Sequence, residues 1–231
     1  MDRRTYLGAV AATAGAFSAG CLGRGTQNTA LGKPEDQGAD SEDLPYPAFG
    51  EEFPESTLPD PLRNRTVTTS DFEGERVVLM TFIYTRCPDG ICPALTQVLR
   101  HAQADAIENG YEGEAAFLAT TFDVERDTAE VLREYGEAQG VDYEAENWHF
   151  LRPESEERAR EVVTDTYGVE YERIDPSELK GDHSGHDMGE YAFDHYPITY
   201  LVNREGYVER AYAGVPETSR VVEDFSAVAE G

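Results

Sequence analysis

Beyond residue 62, short continuous apolar runs alternate with longer segments whose apolar residues recur every three to four positions. The run "RVVLMTFIYT" (Arg76–Thr85) is β-branched and unbroken, which predicts a strand buried on both faces. "CPALTQVLRHAQADAIENG" then places Leu95, Val98, Leu99, Ala102, Ala106 and Ile107 on one helical face, with Pro93 suited to the first turn. "EAAFLATTFDV" predicts a second buried strand. "TAEVLREYGEAQG" predicts a helix, with Asp127 or Thr128 placed to cap it and Gly140 to end it. "NWHFLR" reads as a short strand and "SEERAREVVTDTYG" as a third helix. "ITYLVN" and "YVERAYAG" read as a hairpin around Arg204-Glu205-Gly206, and "ETSRVVEDFSAVAE" as a closing helix. Strand–helix alternation followed by a hairpin and a helix predicts a three-layer α/β domain over residues 63–231, with no internal repeat.

The first 62 residues lack that periodicity. Arg3-Arg4 precede a weakly apolar run from Tyr6 to Ala19, too short for a permanent membrane span. The run resembles a twin-arginine export signal and ends in "FSAGC", which resembles a lipobox with Cys21 as the lipidated residue. The expected organisation is a signal peptide over 1–20 and an acidic, proline-rich solvated tether over 21–62. The last third of that tether is placed to pack on the domain through Tyr46, Phe49 and Phe53. The expected location is the extracytoplasmic face of the cell membrane. The 46 acidic against 19 basic residues give a net charge of −27. That excludes a nucleic-acid partner, which needs a basic surface. With strong apolar runs present, it is the composition of a halophile, whose self-repulsion salt screens.

Chemistry concentrates in "RCPDGICP". Cys87 follows a buried strand and Cys92 opens a helix, at the sheet edge where α/β sites form. A helix N-terminus favours thiolate over thiol. A structural disulfide closing four intervening residues restrains little chain, so it gains little stability. Redox catalysis and metal binding remain. Of five histidines, His101 falls on a polar helix face and His149 reads as packing or surface. His195 lies just before the strand expected to neighbour the cysteine strand, which would either aim its ring at the thiolates or leave it as an edge histidine bonded to backbone. Two thiolates and an imidazole form a soft, low-coordinate set that suits Cu(I), whereas zinc normally takes a fourth ligand. The placement of the pair resembles the thioredoxin fold. The expected class is therefore a thioredoxin-like three-layer α/β/α sandwich with a mixed central sheet. Pro197 stands where such proteins often carry a cis-proline.

"FIYTRCPDGICPALT", "TTFDVERDTAEVLREYGEAQG" and "FDHYPITYLVNREGYV" resemble the three signature blocks of the Sco/SenC family, in family order, across roughly Thr66 to Phe225. Its members are membrane-tethered, thioredoxin-fold copper chaperones for cytochrome c oxidase assembly. The resemblance implies that Cys87, Cys92 and His195 bind copper, that Asp123 is an acid near the site, and that the partner is the copper-containing subunit of a terminal oxidase. With the N-terminal features, it implies a haloarchaeal-type lipoprotein. Two departures stand out: Gly90 makes four residues between the cysteines where the family usually has three, and Tyr196-Pro197 replace the Ser or Thr that often follows the histidine. Because Cys87 belongs to a loop, Gly90 is expected to bulge that loop and not to separate the sulfurs. His183, His186 and Met188 in a glycine-rich stretch are either a second copper-collecting patch or a solvated insertion. The contending function is an extracytoplasmic thiol–disulfide oxidoreductase, which needs Cys87 and Cys92 but not His195.

Overall fold

A computed structural model of the chain describes residues 28–178 and 189–231. Cys21, His183, His186 and Met188 lie outside the described residues. The expected buried strands are β3 (Val77–Ile83) and β4 (Ala115–Thr121), in which every residue is buried. They pair in parallel, with Val77 level with Ala115 and Ile83 with Thr121. Short β5 (Trp148–Leu151) pairs in parallel with β4. On the other side, β8 (Ile198–Val202) runs antiparallel to β3, and β9 (Val208–Ala213) closes the hairpin. The mixed five-stranded sheet has the order β5-β4-β3-β8-β9.

Side chains alternate across this sheet, and each face finds its own cover. Leu79 on β3 is level with Phe117, which is level with Trp148. This face packs against α1 (Ile91–Asn109) and α4 (Thr218–Glu230), with Phe225 on Phe117 at 5.3 Å between ring centres. Met80 is level with Tyr200 on the opposite face, where Phe82, Tyr200, Tyr167 and Phe53 form an aromatic cluster. Helix α2 (Ala129–Gln139) takes Thr128 as its cap, the hydroxyl accepting the Val131 N–H, and ends at Gly140. The expected third helix is one α-turn, α3 (Glu156–Ala159), that widens into a π-helical stretch over Arg160–Thr166. Ile107, assigned to the apolar face of α1, is instead 50% exposed, since the buried face of the helix ends at Ala106.

Two short ribbons escape the sequence pattern. One pairs β1 (Thr57–Asp60) with β2 (Arg65–Thr68); the other pairs β6 (Tyr171–Ile174) with β7 (Ala192–His195). The first lies across the end of the acidic, proline-rich segment, whose described part is laid on the domain with Ala48, Phe49 and Leu58 buried and Tyr46 and Phe53 packed against the core. Its polar residues tie down too. The buried Glu209 carboxylate accepts the Ala30 N–H at 2.6 Å, the Leu31 N–H at 2.9 Å and the Asn203 amide at 2.7 Å. Arg220 grips Asp36 at 2.6 and 3.1 Å. His149, expected as packing or surface, is fully buried, with Nδ1 2.9 Å from an Asp60 carboxylate oxygen.

Candidate metal centre

Strand β3 delivers the chain to a loop that ends at α1. Gly90 is the residue before the helix, with φ 76°, a left-handed conformation that glycine adopts without penalty. A side chain there would meet nothing within 4 Å, so the fourth intervening residue is spent on an exposed bulge. Gly90 has no side chain to cap α1, and Asp89 supplies one: its Oδ1 accepts the Ile91 N–H at 3.0 Å and the Cys87 thiol at 2.8 Å. Cys92 sits in the first helical turn. Its N–H donates to Cys87 Sγ at 3.3 Å, and the Tyr84 N–H donates to Cys92 Sγ at 3.4 Å.

His195, the last residue of β7, brings Nε2 to 3.5 Å from Cys92 Sγ. Ligand atoms of Cys87, Cys92 and His195 all lie within 4.8 Å of one another, and both thiols are free. The ring is walled by Tyr84, edge-on at 5.8 Å, and Phe122 at 5.4 Å. Its buried Nδ1 has no hydrogen-bond partner among the described residues. The donor chemistry fits a soft, low-coordinate metal ion. Two sulfurs and one imidazole nitrogen converge beside the rings of Tyr84 and Phe122.

The two thiols are unequal. The Cys92 thiol, the His195 ring and the Cys92 backbone N–H lower the Cys87 pKa to about 6, against burial and the nearby Asp89. Burial, together with the bond to Cys87, pushes Cys92 well up. Cys87 is thus the thiol that ionises first, giving up the proton it donates to Asp89, and Cys92 is a protonated neighbour able to exchange. The pH profile of iodoacetamide alkylation of Cys87 in the reduced protein is expected to have its midpoint near 6. A midpoint near 9, the unperturbed thiol value, contradicts this arrangement.

The other expected site residues fall as follows. Asp123 is buried and does not touch the thiols. It holds the Arg126 guanidinium at 2.5 Å and accepts the Tyr191 hydroxyl at 2.8 Å. The Tyr191 ring lies between Arg126 at 3.7 Å and Arg173 at 3.6 Å. Asp123 therefore anchors Tyr191, the residue that enters β7, four positions before His195. No cis peptide occurs among the described residues, so the bond preceding Pro197 is trans, unlike the cis bond such proteins often carry there. His101 is exposed on α1, as expected. The roles of Asp89, Tyr84 and Phe122 are not visible in spacing. Only the loop geometry turns Asp89 back onto Cys87, and only the β6–β7 ribbon brings His195 onto the two rings.

The sequence profile of the SCO1/SenC family matches residues 61–230. An SCO2-like protein, RP587, of Rickettsia prowazekii (strain Madrid E) is 29% identical over 156 residues, 66% of this chain and 66% of that protein, just under two thirds of its length. Two solved structures share the fold. One is BsSco, described as a member of the Sco family of cytochrome c oxidase assembly proteins (TM-score 0.56, 21% identity, 79% of this chain and 95% of that one). The other is Arabidopsis thaliana ScoI with copper bound (TM-score 0.54, 21% identity, 80% of this chain and 100% of that one). Since the profile spans both cysteines, the histidine and nearly all of the folded domain, the chain belongs to the SCO1/SenC family.

Proposed function

We propose that this protein carries copper, as Cu(I), on Cys87, Cys92 and His195 and hands it to the copper-containing subunit of a cytochrome c oxidase. The observation that carries this reading is the convergence of the three ligand atoms within 4.8 Å with both thiols free. Copper here is cargo. Cys87, the first thiol to ionise, offers the charge that attracts the ion, and Cys92 loses its proton as it binds. The exposed Tyr196 beside His195 and the exposed Gly90 loop leave the site at the surface, where a partner can reach it. Membership of the family and the copper held by the Arabidopsis relative support the assignment.

The same pair supports thiol–disulfide exchange as a second activity, favoured by the unequal thiols. The paired arginines and "FSAGC" support a reading in which the protein is exported and held at the outer face of the membrane by a lipid on Cys21. The register adds a consequence. Glu209, which grips residues 30 and 31, lies at the bulge beside Leu201 and Val202, level with the start of β3. The thiols follow the other end of β3, roughly 17 Å away at about 3.3 Å per residue. A lipid on Cys21 would thus hold the domain from the end away from its copper site.

The test is Cu(I) titration of the purified domain in high salt. One equivalent is expected with the thiols reduced and none after oxidation to the disulfide. Retention of copper by the oxidised protein, or none by the reduced one, refutes the reading.

A further inference from the structure

Asp127 is fully buried and belongs to none of the groups that would touch copper, yet it is joined to their loop. Its carboxylate accepts the Thr85 hydroxyl at 2.5 Å, the Thr85 N–H at 3.1 Å and the Thr121 hydroxyl at 2.5 Å. Thr121 is the last residue of β4, Thr85 lies two residues beyond β3, and Asp127 itself stands just ahead of the α2 cap. One side chain therefore joins the exits of the two central parallel strands to the start of a helix.

The tie bears on both sulfurs. Thr85 lies two positions before Cys87, so it sets where the stretch carrying that thiol begins. The adjoining residue, Tyr84, is the one whose N–H meets Cys92 Sγ at 3.4 Å. Beyond Thr85 the loop is held by the buried Cys87 and Pro88 and by Asp89, whose bonds to Cys87 and the Ile91 N–H are internal to the loop and do not tie it to the sheet. Arg86, Asp89 and Gly90 are exposed, and Gly90 has open space around its Cα. A loop lengthened by one residue has more ways to splay its first cysteine, so a fixed point immediately upstream counts for more.

We propose that Asp127 is a positioning residue of the copper site: by gripping Thr85, it holds the Cys87–Cys92 loop in the geometry that binds the ion. Its energetics agree with a role other than stabilising the fold. Burial pushes the Asp127 carboxyl up to about 6, against the hydroxyls of Thr121 and Thr85 and the Thr85 N–H. An acid with a folded pKa above its unfolded 3.8 takes stability away as pH rises from about 4 to about 6, so at neutral pH the ionised group works against folding. Hydrogen bonds to an ionised acceptor are also the stronger kind, which suits a tie that must be stiff.

The experiment compares Asp127→Ala, Asp127→Asn and Thr85→Val with the unaltered protein, all confirmed to melt cooperatively in high salt. Two readouts are taken: Cu(I) affinity by competition with a chromogenic Cu(I) chelator, and the rate at which iodoacetamide alkylates Cys87 in the metal-free reduced protein. Asp127→Ala is expected to weaken Cu(I) binding by about 10- to 100-fold, the range for residues that orient metal ligands. It should also speed alkylation several-fold, because the loop opens. Asp127→Asn keeps the shape; its carbonyl can accept the Thr85 N–H while its amide donates to the Thr85 hydroxyl. It should recover most of both properties. Thr85→Val removes one bond of the tie and should fall between the unaltered protein and Asp127→Ala.

Asp127→Ala with unaltered affinity and alkylation rate overturns the proposal. So does Asp127→Asn failing as badly as Asp127→Ala, since charge and not the tie would then be at work. If Asp127→Ala does not fold, Thr85→Val decides alone, and unaltered values in it overturn the proposal. The affinity readout rests on the copper reading, but alkylation does not. An unaltered protein that binds no Cu(I) refutes that reading, while the alkylation rates still decide the tie.

Discussion

His195→Ala is expected to weaken Cu(I) binding at least a hundredfold while leaving the domain folded. Residues that merely orient a metal ligand cost 10- to 100-fold when removed, so loss of one of three ligands sits at or beyond the top of that range. Two thiolates alone can still hold Cu(I), so the remaining binding is weak and not absent. The fold should survive because His195 is only partly buried, ends a four-residue strand, and makes its ring contacts with Tyr84 and Phe122 at one rim of the core. The measurement is a chelator competition on reduced protein, with a melting curve as control. This variant also separates the two activities. A carrier needs the imidazole; a thiol–disulfide reductase needs only the cysteines. Unaltered copper affinity with reductase activity intact would leave thiol exchange as the function.

The second large effect lies far from the copper site. Gly168 follows the π-helical stretch with φ 67°, and a Cβ built on it would fall 2.2 Å from the Pro45 carbonyl oxygen and 2.8 Å from the Tyr46 Cβ. The first clash is with backbone, so it cannot be relieved by turning a side chain. Gly168→Ala therefore carries the left-handed penalty of about 1–2 kcal/mol and an overpacking cost of about 1–3 kcal/mol. At roughly 2–4 °C per kcal/mol for a domain of this size, melting should fall by about 4–20 °C. The N-terminal segment should detach before the core melts, giving protease cleavage between residues 28 and 56 in the variant alone. A melting temperature within 2 °C of the unaltered protein, with no new cleavage, would mean that Pro45 and Tyr46 do not rest on this glycine.

Much of this architecture is legible in one dimension. β3 and β4 are buried on both faces, so their sequences are unbroken apolar runs with no alternation to misread. The helices carry their own start and stop residues, as Thr128 and Gly140 show for α2. The cysteines announce themselves because a strand end and a helix start, both local features, bracket them. The N-terminal segment could not be read the same way. Phe49, Leu58 and the Ala30 and Leu31 amides are held by residues more than 100 positions away in part, above all Glu209, and such long-range partners leave no periodicity. The two ribbons are four residues per strand, too short for a pattern of period two to stand out.

The sequence by itself determined the α/β class and the elements around the two cysteines, because residue chemistry and local spacing specify these without reference to the rest of the chain, while His195 was singled out by the family resemblance of its block. Only the tertiary structure decided which groups govern those donors. Asp89 turns back on Cys87, Tyr84 and Phe122 wall His195, and Asp127, a capping candidate in the sequence, leaves the cap to Thr128 and turns inward to Thr85. The physical reason is that a polar side chain at the end of a strand has both local and distant partners within reach. Which it takes depends on whether packing has closed water out around it, and that is a property of the assembled core.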